Sequence, residues 1–180
     1  MRILYITFFL YSLNSTLAIS QTLPVCYQAN CLKEVNFPVS EDAYGQIRKL
    51  FLSITSAIEE REAIRHALRR LYLEASKHSP IAADRGGNFK DYSVQGRMDC
   101  VDHSRNDTTF LNYIQQQGWL NYHQVGEIVW RNPLFINLHY ASRIIEVNTS
   151  YSWVVDTWFL DFGKLAIVIP YDQWKNGYSP

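Results

Sequence analysis

The sequence predicts an α+β protein. Two observations carry this: apolar residues recur at three- and four-residue spacing over three stretches between Ser40 and Gly118, and beyond Gly118 the pattern changes to short β-rich runs. A third supports it, since aromatics make up 14 % of the chain, with 5 Trp and 12 Tyr, side chains that favour packed strands. The predicted layout places helices first, then one long helix packed on an antiparallel sheet.

The first helix begins after Ser40, an N-cap followed by Glu41 and Asp42, and carries Ala43, Ile47, Leu50, Phe51 and Ile54 on one face. The second opens on the capping box Ser56–Glu59. Its stripe of Ile64, Ala67, Leu68, Leu71 and Ala75 lies opposite Glu60, Arg61, Arg65 and Arg69, which read as a solvated face. Ser79-Pro80 ends it, and residues 85–96 form a long polar loop. Asp99 caps the third helix, which carries Val101, Ser104, Thr108, Leu111 and Ile114 and stops at Gly118.

The strand runs are Val125–Arg131, Leu134–Val147, Tyr151–Phe159 and Leu165–Ile169, with Asn148-Thr149-Ser150 as a turn joining the second to the third. Zero net charge, 17 Lys plus Arg against 17 Asp plus Glu, excludes the basic surface that nucleic acid requires. With 180 residues and 47 % hydrophobic content, one ordinary domain over 40–180 is expected.

The N-terminus reads as an export signal over 1–18. Arg2 precedes an apolar run from Ile3 to Leu13, and Thr16-Leu17-Ala18 offers small residues for cleavage. The run is well short of the ~20 residues of a membrane span, so the mature chain is expected to have none. Lipidation at Cys26 is a weaker reading. Export places the cysteines in an oxidising compartment, where Cys26 and Cys31, five apart, are expected to pair and staple the segment 19–39. Cys100 is then left alone.

Cys100 stands in the first turn of the third helix, where unpaired N–H groups and the helix dipole lower a thiol's pKa, while Asp99 and Asp102 oppose them. His139 and Asp156 lie on the two arms of the expected hairpin. Their separation of 17 puts both on one face if the loop has an even number of residues. A turn centred on Thr149 and Ser150 leaves them four positions out of line, so joining them requires a two-residue change of register or a longer loop.

Cys100 in Gly96-Arg97-Met98-Asp99-Cys100, then His139, then Asp156 in Trp153-Val154-Val155-Asp156 resembles the transglutaminase-like superfamily of papain-type cysteine enzymes, over roughly 43–170. Met98, Tyr140 and Thr157 stand where many members have Gly, Trp and Pro. The resemblance implies a papain/transglutaminase-like fold with Cys100 as nucleophile, His139 as base and Asp156 as orienting acid, acting on a peptide or protein amide without a cofactor. Gln95 resembles the placement of the papain-type oxyanion donor. Two other readings stand beside it: a zinc site built from Cys100, His103, His123 and His139, and a secreted binding module whose groove uses Trp119, Trp130, Trp153 and Trp158.

Overall fold

A computed structural model describes residues 21–87, 93–133 and 138–180. The export signal expected over 1–18 lies outside the described residues. Two strands, β1 (Thr22–Tyr27) and β2 (Lys33–Pro38), precede three helices, α1 (Glu41–Phe51), α2 (Ala57–Ala75) and α3 (Cys100–Gln116). Then come β3 (His123–Val125), β4 (Val129–Arg131), β5 (His139–Glu146), β6 (Ser152–Asp156), β7 (Ile167–Pro170) and a closing helix, α4 (Tyr171–Lys175).

The helix boundaries follow from their caps. Ser40 Oγ accepts from the Ala43 N–H at 3.2 Å and Ser56 Oγ from the Glu59 N–H at 3.2 Å, while the Glu59 carboxylate takes the Thr55 N–H at 2.7 Å. At α3 the Asp99 carboxylate accepts the N–H groups of Val101 and Asp102, and Asp102 returns the bond to the Asp99 N–H. Gly118, at φ +72°, terminates this helix.

All pairings are antiparallel, and β5 is central, with β6 and then β7 along one edge and both β3 and β4 along the other. The expected single strand 125–131 is therefore two pieces. Val125 pairs with Ile144 and Val129 with Ala141, so four steps on one strand oppose three on β5. This is a bulge of one residue, and it changes which face the following residues occupy. It sits at Gly126, whose N–H reaches the Arg143 carbonyl at 2.8 Å and where a Cβ would come within 2.8 Å of Arg143 Nε. Arg131 thereby stands directly opposite His139.

One sheet face, with Ile144 and Val155, packs on α3. The other, with Val129, Ala141 and Val154, packs on Trp174 of α4. The β1–β2 hairpin is more than a stapled segment: Leu23, Val25 and Phe37 enter the same core as α2 and α3.

The charged side of α2 is corrected at one position. Glu60 is fully buried, and its carboxylate accepts the N–H groups of Asn121, Tyr122 and His123 and bonds His123 Nδ1 at 2.9 Å. Burial pushes Glu60 toward neutrality, but those partners outweigh it and its pKa falls below the ordinary value. Arg61, the next residue, lies over the Trp153 ring and pairs with Glu146 at 3.0 Å. The clasp fixes the strand side of the sheet to α2.

Candidate active site

The hairpin joining β5 to β6 brings the sequence-predicted acid and base together. Ser142 pairs with Val155 and Ile145 with Ser152, so the turn comprises residues 147–150, and Ser150, at φ +58°, donates to the Glu146 carbonyl at 2.8 Å. In this register His139 would face residue 158 and Asp156 would face Ala141. The two are diagonal neighbours on one face, within reach of each other's side chains. His139 Nε2 and Asp156 Oδ2 lie 2.7 Å apart, both residues 2 % exposed.

Asp156 is held by more than the histidine. Its Oδ1 accepts the Trp158 N–H at 3.0 Å and its Oδ2 accepts Trp174 Nε1–H at 3.1 Å. The imidazole is walled by Trp158, Phe159 and Trp174, with ring centroids 4.6, 5.1 and 5.7 Å away. Its other nitrogen, Nδ1, is buried without a hydrogen-bond partner. Leaving such an atom unsatisfied costs about 1–3 kcal/mol.

Cys100 reaches the neighbouring residue through the backbone. Along β5 the even-numbered residues bond toward β6, as the Glu146 N–H to the Tyr151 carbonyl shows. Continuing that ladder would give Tyr140 residue 157 as partner. Thr157 is drawn away instead, its N–H bonding Asp107 Oδ2 at 3.2 Å and its hydroxyl bonding the same carboxylate at 2.9 Å. The half-buried Cys100 thiol feels the Tyr140 N–H, which favours its ionised form. Further along the helix, Ser142 Oγ bonds the Ser104 carbonyl at 2.8 Å and Thr108 Oγ1 at 2.7 Å, which locks α3 to β5.

The expectation of a lowered thiol pKa is corrected. Burial pushes the Cys100 thiol up to about 11; the Tyr140 N–H pulls it down, but the charges of Asp99 and Asp156 push further. The resting cysteine is a neutral thiol. The carboxylates at the helix start are nevertheless well bound, by the loop between β1 and β2. Gln28, Ala29, Asn30 and Cys31 all have positive φ, between 52° and 74°, and the Cys26–Cys31 disulfide closes the loop. This run aims N–H groups at the start of α3: Ala29 and Cys31 donate to Asp102 at 2.9 and 2.5 Å, and Asn30 to Asp99 at 3.1 Å.

Gln95 is exposed, on a turn closed by the Arg97 N–H and the Val94 carbonyl, and among the described residues it has no bond to the site. The glutamine engaged with that turn is Gln28, whose side chain bonds the Val94 carbonyl and the Gly96 N–H, each at 3.4 Å. Gly96 has φ +89°, and a Cβ there would collide with the Pro80 carbonyl.

The proposed zinc ligands are not assembled. His103, expected on the helix surface, is buried between Asp84, 3.0 Å from Nε2, and Thr157, 2.7 Å from Nδ1. His123 is taken up by Glu60. Among the described residues, the one group at metal-ligand spacing is Cys26, Cys31 and Asp102, and its sulfurs are joined to each other. The four tryptophans do not share a groove either: Trp119 stacks on Phe51, Trp153 lies under Arg61, Trp130 is exposed and Trp158 packs on His139.

Sequence reasoning missed the Tyr140 N–H, Trp174 and Arg131. A strand bulge could be suspected only from Gly126 within an otherwise β-rich run. No family model, curated protein or solved structure matches the chain. Among the described residues, no helix is long and apolar enough to cross a membrane.

Proposed function

We propose that the protein is an exported cysteine hydrolase or acyltransferase of papain/transglutaminase-like fold, acting on an amide or ester through Cys100, His139 and Asp156. The observation that carries the reading is the buried His139–Asp156 pair at 2.7 Å, with a second imidazole nitrogen left unpartnered one residue from the backbone N–H that meets the Cys100 thiol. A buried nitrogen kept without a partner is accounted for by a proton it must accept. The disulfide fits an oxidising compartment, and so the exported location.

Because the thiol rests protonated, His139 acts as general base during attack rather than as half of a standing ion pair. The S–H proton passes to Nδ1 as sulfur bonds the carbonyl carbon. Asp156 holds Nε2–H and stabilises the imidazolium that results. The amide N–H of Cys100, beside its own sulfur at the first position of α3, faces the developing oxyanion with the helix dipole behind it. Collapse breaks the C–N bond, and Nδ1 returns its proton to the departing amine. Water then attacks the thioester, giving a proton to Nδ1, and the C–S bond breaks as sulfur regains it. An acceptor amine in place of water gives transfer.

The test is acylation with p-nitrophenyl acetate, read by p-nitrophenol release and by mass spectrometry. One acetyl group on Cys100, formed faster than on the urea-unfolded chain and lost slowly to water, is expected. Cys100→Ala should abolish it and His139→Ala should slow it at least tenfold. A folded protein acetylated no faster than the unfolded chain overturns the reading and leaves a binding module of the same fold.

A further inference from the structure

We propose that Arg131 is the carboxylate-recognising residue of the cleft beside His139, so that the amine released in the reaction carries a carboxylate, as the C-terminal residue of a peptide does. The inference rests on the preceding reading and adds its substrate class.

Arg131 is 5 % exposed and faces His139 across the β4–β5 pair only because of the bulge at Gly126. Were the same strand to continue in the register of β3 without a bulge, Trp130 would occupy that position. Its guanidinium lies 4.8 Å over the Trp174 ring and 5.8 Å from that of Phe159. It donates to the carbonyls of Trp174 and of Tyr178, the latter at 2.7 Å, while its Nε–H is buried without a partner. Among the described residues, no carboxylate lies within ion-pair distance of it. Asp156 exerts a charge on it, but the oxygens of Asp156 are occupied by His139, Trp174 and the Trp158 N–H. Two neutral carbonyls do not balance a buried cation, whose burial is costly without an anion.

The cleft that Arg131 lines measures about 680 Å³ including its open mouth, enough for an amino-acid residue, and its walls include His139, Trp158, Phe159 and Gly177. It is walled by the histidine and not by Cys100. In amide cleavage the imidazolium hands its proton to the leaving nitrogen, so the amine sits on the histidine's side of the scissile bond. A guanidinium there, with a donor unspent, fits a carboxylate attached to that amine.

The probes are iodoacetate and iodoacetamide, equal in shape at the reacting carbon and different in charge, each alkylating Cys100 with loss of iodide. Cys100 is the free cysteine, so incorporation reports on it alone. The ratio of the iodoacetate rate to the iodoacetamide rate, compared with that of N-acetylcysteine, should be raised about tenfold, the worth of one charge-assisted hydrogen bond. Arg131→Gln, shown folded by circular dichroism, should bring it to the free-thiol value, and Arg131→Lys should restore part of it. Should Arg131→Gln not fold, His139→Gln decides: the ratio persists if the cation is Arg131 and collapses if it is the imidazolium. Collapse there, or a wild-type ratio equal to that of the free thiol, overturns the inference while leaving the nucleophile in place. Inertness of Cys100 to both reagents until unfolding overturns the nucleophile as well.

Discussion

Asp107 ties the chemistry of α3 to the pH dependence of the whole fold. Its carboxylate is fully buried and accepts the Tyr72 hydroxyl at 2.8 Å on Oδ1, the Thr157 N–H on Oδ2 and the Thr157 hydroxyl on both. Burial lifts its pKa from 3.8 to about 7; the charge of His103 and the Tyr72 and Thr157 bonds pull it back, while Asp156 pushes it further up. A carboxyl raised on folding contributes stability that is complete below its unfolded value near 4 and is lost as pH rises through about 7. Across the interval between the two values the loss is about 4 kcal/mol, more than half of it between pH 5 and pH 8. His103, also raised, acts with the same sign.

The perturbation is Asp107→Asn, which removes the titration and can keep the bonds: the amide nitrogen turns toward the two hydroxyls, which can accept, and the oxygen toward the Thr157 N–H. Urea unfolding at pH 5, 6, 7 and 8 should show wild-type stability falling across the series. The variant's curve should be flatter by about 2 to 3 kcal/mol over the same range. Parallel curves would refute the reasoning, for they would mean that Asp107 ionises alike in the folded and unfolded chains.

Three further outcomes are expected. Glu60→Gln should lose at least about 2 kcal/mol at pH 7 in urea unfolding, because a neutral amide supplies one acceptor oxygen to the three N–H groups and the imidazole that the carboxylate now satisfies. Its stabilising effect in the wild type should be present above pH 4.5 and fade below it, opposite in sign to Asp107. Cys26→Ser/Cys31→Ser should cost about 2 kcal/mol from loop entropy, with an unchanged urea m-value, and should slow Cys100 acetylation by loosening the loop that holds Asp99 and Asp102. Asp156→Asn should slow acetylation less than His139→Ala while leaving Cys100 accessible to iodoacetamide; loss of near-ultraviolet circular dichroism instead would assign Asp156 to folding.

The helices were legible because their signals are local. Ser40, Ser56 and Asp99 cap where side-chain chemistry says they must, and Gly118 stops α3 for the reason glycine stops helices. The same-face relation of His139 and Asp156 was legible as parity. Its register was not, since whether a turn centres on 148–149 or 149–150 is settled by Ser150 entering the left-handed region, which residue type does not announce. The buried polar residues of α3 were invisible to a reading built on apolar spacing. Asp102, His103, Asn106 and Asp107 find their partners in the β1–β2 hairpin, at Asp84 and at Thr157, and only those distant groups make their burial tolerable. The raised thiol pKa has the same origin, because the sequence shows the helix start but not the depth at which the sulfur lies.

The bulge at Gly126 separates the effect of changing this strand's length from the effect of changing its register. Deleting one residue between Val125 and Val129 removes the bulge and leaves three steps opposing three, so Arg131 still faces His139, whereas the full-length strand paired without a bulge, in the register of β3, would present Trp130 there instead. A cation would then give way to an indole through a slip of register alone, with no residue changed. Variants one residue shorter here would therefore keep the same residue at the cleft, and an alignment that moved the gap beyond Arg131 would match the wrong one to it.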